Sequence, residues 1–103
     1  MGRPREELHK EICELLGTRF AYFQPPESVR LQYDCCIYKR SHIESRYAND
    51  MMYLGFAQYE LMLVYRDPDS DIVERFMKHF KYCSHNRHYA TDDLNHDVLI
   101  IYY

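Results

Sequence analysis

The sequence predicts an α+β fold, a single mixed or antiparallel sheet of about four to five strands with two helices packed on one of its faces. Three observations predict it. The stretch from Tyr53 to Phe80 passes from strand alternation through a polar turn into a helical repeat. A second helical repeat opens the chain, and the run DVLIIYY, residues 97 to 103, is apolar on both of its faces. A chain of 103 residues is expected to form one domain, residues 1–103, which buries roughly 60 to 70% of the surface of the unfolded chain.

The first helix is expected over Pro4 to Leu16. Leu8, Ile12, Leu15 and Leu16 share one side, and Gly17 supplies the left-handed stop. Glu6, Glu7, Glu11 and Glu14 line the other side, which reads as a solvated face. A short strand, Arg19 to Phe23, ends before Pro25 and Pro26, because proline donates no ladder hydrogen bond. A second strand spans Arg30 to Lys39, with Leu31, Tyr33, Cys35 and Ile37 alternating against Gln32, Asp34 and Tyr38. Lys39 to Met52 is polar and long enough to read as a protruding hairpin loop.

In the main strand, Tyr53, Ala57, Tyr59, Leu61, Leu63 and Tyr65 fall on one face, so that face is meant for a core. The second helix is expected to open at Asp67-Pro68, with Asp67 as N-cap and Pro68 in the first helical position. Its stripe is Ile72, Val73, Phe76, Met77 and Phe80. Early acids (Asp69, Asp71, Glu74) and late bases (Arg75, Lys78, His79, Lys81) suit the helix dipole. Tyr82 to Asp93 reads as a second polar region with a short edge strand near His88 to Ala90. Two helices blanket about one face of such a sheet, so the other face is expected to take its cover from a neighbouring subunit.

Hydrophobic residues make up 47% and charged residues 28% of a chain with only 3 Gly and 4 Pro, the composition of an ordinary folded domain. Eleven tyrosines with no tryptophan favour half-buried sheet surfaces and interfaces. The net charge is −3 and the 13 Lys and Arg are scattered, which is no footprint for nucleic acid. The start, MGRPREELHKE, lacks the apolar run of a signal peptide, and no stretch has the length to span a bilayer, so a soluble cytoplasmic product is expected. Cys13, Cys35, Cys36 and Cys83 then read as reduced thiols.

Candidate chemistry is sparse. Cys83, His85, His88 and His96 are residue types that zinc accepts, but Cys-x-His is a poor ligand spacing, and exposed or hydrogen-bonded histidines are the expectation. The acidic run DPDSD lacks the Gly and the Glu of a calcium loop. No phosphate-binding Gly loop or nucleophile motif occurs. The chain is thus expected to be no enzyme, with no catalytic residue, metal or cofactor.

Four segments, FAYFQPPESVRLQYDCCIY, RSHIESRYANDMMYL, YRDPDSDIVERF and YCSHNRHYATDDLNHDVLIIYY, follow the N-terminal helix. In that order they resemble the small tail-terminator or tail-completion (head-tail joining) proteins of long-tailed bacteriophages. The resemblance implies a structural virion protein that forms a homo-oligomeric ring, commonly a hexamer, at the head-proximal end of the tail tube. Assembled in the host cytoplasm, the ring would end up in the tail or neck of the virion. It would stop tube polymerisation and meet both the tail tube protein and the head-tail connector or stopper, while double-stranded DNA passes without specific binding. Subunit contacts would then fall on Tyr38, Lys39, Arg40, Ile43, Arg46, Tyr47, Asn49, Asp50, Met52, Leu99, Ile101 and Tyr103. Glu7, Glu11, Glu14, Asp92, Asp93 and Asp97 are candidates to line an acidic channel that repels phosphate. The alternatives are a connector or stopper on the capsid side, or a small phage protein that binds a host enzyme.

Overall fold

The computed structural model describes residues 4–41 and 55–103. Helix α1 spans Arg5–Leu16 and buries Leu8 and Ile12. It stops at Gly17, which takes φ 74° and returns its N–H to the Cys13 carbonyl at 2.9 Å. That left-handed turn is where glycine costs least. Strands β1 (Ala21–Phe23) and β2 (Cys35–Arg40) follow, then β3 (Gln58–Tyr65), helix α2 (Ile72–His79), β4 (Cys83–Thr91) and β5 (Leu94–Tyr102). The five strands form one sheet in the order β1-β2-β3-β5-β4, parallel between β1 and β2 and antiparallel elsewhere. This is the expected α+β arrangement.

Alternation assigns the two faces. On the inner face Cys36, Tyr38, Tyr59, Leu61, Leu63, Tyr65, Leu99, Ile101 and Tyr103 pack with Leu8 and Ile12 of α1 and with Ile72, Phe76 and Phe80 from α2 and its exit. Both helices therefore cover one side. The alternation foreseen for the main strand is the one observed from Ala57 to Tyr65, and Tyr53 lies outside the described residues.

The outer face carries Cys35, Val64, Val98 and Ile100, all buried within this chain alone. Part of their cover is visible: Tyr89 stacks on His96 with ring centroids 4.6 Å apart and carries its hydroxyl to the Met62 sulfur at 3.4 Å, so its side chain arches over β5. The expectation that a neighbouring subunit must cover this face is thereby corrected for these four side chains.

Several boundaries also differ from expectation. Helix α2 opens at Ile72, a turn later than Asp67-Pro68. Asp67 instead closes a turn, its Oδ1 accepting the Asp69 N–H at 2.9 Å and its carbonyl the Ser70 N–H at 3.0 Å. The first α2 backbone bond, Arg75 N–H to the Asp71 carbonyl at 3.0 Å, comes after that turn. Met77, expected in the apolar stripe, stays 38% exposed. In β2 the inner residues are Cys36 and Tyr38, the reverse of the phase the Leu31-to-Ile37 alternation suggested, and the strand begins only at Cys35. The edge strand is nine residues long, Cys83 to Thr91, where a short one near His88 was expected.

Candidate functional site: the Asp97 cluster and the β4 edge

Two histidines three positions apart on a regular strand would point to opposite faces. Here they do not, because β4 carries a bulge. His85 pairs with Leu99 and Arg87 with Val98, so Asn86 is an extra residue, and beyond it His88 returns to the inner face opposite Asp97. The result is a cluster around one carboxylate. Nε2 of His85 lies 2.8 Å from Asp97 Oδ1, Nδ1 of His88 lies 3.0 Å from Oδ2, and the Tyr65 hydroxyl donates to Oδ2 as well.

Asp97 is only 4% exposed. A buried carboxylate is tolerated when its lone pairs are used, and here three donors use them. Burial pushes its pKa up, but the hydrogen bonds from Tyr65, His85 and His88 and the charge on His88 outweigh that and hold it below the ordinary aspartate value. An ionised carboxylate only accepts, so the facing protons sit on Nε2 of His85 and Nδ1 of His88. Burial, then the Asp97 bond and charge, push the Tyr65 hydroxyl up to about 12. The cluster ties the edge strand β4 through β5 to the interior strand β3.

Of the four zinc-type residues singled out in the sequence, only His85 and His88 meet. His96 lies on the outer face against Tyr89, and burial pushes the Cys83 thiol up to about 11, which keeps it protonated near neutral pH. Burial likewise raises Cys13, Cys35 and Cys36. Among the described residues, no group of three or more His, Cys, Asp or Glu side chains is gathered as metal ligands. Asp97 as the hub was missed by sequence reasoning, since only the bulge brings both histidines to it.

The interface candidates divide. Leu99 and Ile101 are 0% exposed, Tyr103 2% and Tyr38 1%, all in the core beneath the helices, so the expectation that they meet a neighbour is corrected. Tyr38 instead anchors α1, its hydroxyl 2.6 Å from His9 Nδ1 and 3.3 Å from the Arg5 guanidinium. Lys39 and Arg40 are exposed at the end of β2, with Lys39 paired to Glu60 at 3.4 Å. They border the rim of an open groove of about 590 Å³ whose floor includes Ile37 and Met62. Ile43, Arg46, Tyr47, Asn49, Asp50 and Met52 lie outside the described residues. Among the channel candidates, Glu7 and Glu14 are exposed on α1. Glu11 is not a free acid, since it meets His79 at 2.8 Å and accepts from Tyr103. Asp92 and Asp93 form the β4–β5 turn with φ of 53° and 61°, a hairpin conformation that aspartate tolerates.

The last feature is β4 itself. Eight of its nine residues are exposed, and nothing pairs with its outer side among the described residues. The opposite edge, β1, is three residues long and ends before Pro25 and Pro26. No protein-family model, curated protein or solved structure matches this chain.

Proposed function

We propose that this protein is a structural assembly subunit that acts by binding other chains, and that its place is the ring closing the head-proximal end of a phage tail tube. The reading draws on the segments that resemble tail-terminator proteins and on one observation, the unlike edges of the sheet. A long open edge on one side and a short proline-ended edge on the other suit head-to-tail, heterologous contacts, and such contacts close into rings. Since Tyr38, Leu99, Ile101 and Tyr103 are core, contacts in such a ring would fall on β4 and on the exposed Lys39 and Arg40. The protein would hold its partners without chemistry of its own, and DNA would pass an acidic subunit without binding it.

Native mass spectrometry with negative-stain imaging of the tag-free protein tests this. Rings of about six subunits, alone or on the ends of tail tubes, are expected. Protein that stays monomeric at high concentration and leaves added tail tubes uncapped overturns the reading.

A further inference from the structure

An edge strand is a docking site only if its outward backbone groups are free and its side chains leave the path clear. Both conditions can be read from the β4–β5 register. Tyr102 N–H bonds to the Tyr82 carbonyl at 3.0 Å, so Tyr82 and Tyr102 are a bonded pair, and strict alternation then turns the backbone of Cys83 and His85 outward. Past the bulge, the two-residue turn at Asp92-Asp93 makes Thr91 and Leu94 a bonded pair, which turns Ala90 and His88 outward. These residues thus turn N–H and C=O groups outward on both sides of the Asn86 bulge, with no strand paired to them among the described residues.

Natural sheets usually guard such an edge with a charged side chain standing in the way. Here the candidates are drawn aside. Asp97 holds both histidine rings over the inner face, and the Arg87 guanidinium lies 5.5 Å from the Tyr89 ring centroid on the outer face. The edge keeps the Arg87 charge without its bulk. From Lys81 to Thr91 the chain carries Lys81 and Arg87 and no carboxylate, in a protein whose net charge is −3 with His neutral. Two β4 strands laid against each other would bring these bases together, so a second copy of β4 is a poor partner.

We infer that β4 is a strand-addition site for an extended segment of a partner chain that carries carboxylates at alternate positions, on the outer face that Arg87 flanks. This deepens the assembly reading by giving the chemistry of a partner at the same edge, but it does not depend on a ring. The partner's backbone would pair with His85, His88 and Ala90, its acids would lie on the outer face with Arg87, and the residues between them would pass over the inner-face rings of His85 and His88.

Amide hydrogen exchange on the full chain tests it, with a blocked peptide alternating Glu and Val over about eight residues and its Lys-Val counterpart as probes. The Glu peptide is expected to slow exchange at His85, His88 and Ala90 at least ~10-fold at saturation, less at high salt, and the Lys peptide is expected to do nothing. Arg87→Glu is expected to lose this protection while the inner amide of Tyr102 stays slow, which shows the hairpin still folded. No slowing by either peptide, equal slowing by both, or unchanged protection in R87E overturns the inference. So do outward amides already slow in peptide-free protein of doubled mass, since a second copy would then hold the edge. Rings in the mass spectrum with no peptide protection would sink the strand-addition site alone. Protection without rings would spare it and sink the ring.

Discussion

The two flanks of the sheet are each fastened by one buried polar knot, and the knots work differently. On the β1 flank, Tyr38 holds α1 down through His9 and Arg5, and Arg5 also lies 4.4 Å over the Phe23 ring, so the helix covers the inner face of the short strand. On the β4 flank, Asp97 binds side chains of the edge strand itself. A knot made through a helix fastens a layer onto the face of the sheet. A knot made through the edge strand's own histidines fixes the strand and leaves its backbone open.

The largest effect comes from removing what both flanks share. Leu61 and Phe76 are 0% exposed in the common core, and Leu61→Asp or Phe76→Asp should abolish soluble folded protein, since an unpaired buried charge costs several kcal/mol against a marginal total. Soluble variants with a cooperative melting transition would refute the shared core.

Next is Asp97→Ala, which leaves Tyr65, His85 and His88 without their acceptor and should cost about 3 kcal/mol in urea denaturation, with faster amide exchange across β4 but not β1. Equal loosening of both flanks would break the contrast. The matching change on the other flank, Tyr38→Phe, deletes a neutral hydroxyl bonded to His9 and Arg5 and should cost only about 1 kcal/mol, felt in α1 and β1.

Acidity separates the knots further. Asp97 has its folded pKa depressed, so its contribution is present above the unfolded aspartate value and is lost as pH falls through the folded one. Tyr65 is raised to about 12, so its contribution is complete below the unfolded tyrosine value near 10 and is lost as pH rises toward 12. Stability profiles of Asp97→Asn and Tyr65→Phe should flatten at the acid and alkaline ends respectively; an unchanged profile in either would detach that group from the knot. Gly17→Ala is expected to cost no more than Tyr38→Phe. No atom lies within 4 Å of the added Cβ, so the cost, about 1 kcal/mol, is the left-handed φ alone.

Local pattern carried much of this fold because much of it is local physics. Leu61, Leu63 and Tyr65 alternate because one face of β3 is covered, and Leu8, Ile12 and Gly17 place α1 within a residue of its bounds. At Cys35-Cys36 the pattern is silent, since both residues are apolar and both are buried. The phase of β2 goes with contacts far along the chain, the pairing with β3 and the Tyr38 hydroxyl's contact with His9, 29 positions away. At DPDS the capping residues close a turn before the helix, and composition alone does not separate the two uses. Strand β4 looked like a loop because an exposed edge needs no apolar face, only the register of its neighbour.

The sequence by itself determined the α+β class, the core face of β3, the first helix, the buried character of β5 and the polar character of Tyr82 to Asp93, because hydrophobic period and polarity are properties of neighbours along the chain. Only the tertiary structure decided that Leu99, Ile101 and Tyr103 belong to the core, that Asn86 bulges, and that His85 and His88 thereby meet Asp97 while the β4 backbone stays open. Those outcomes depend on cross-strand register and on which face the helices cover, and both are fixed by contacts between residues far apart in sequence.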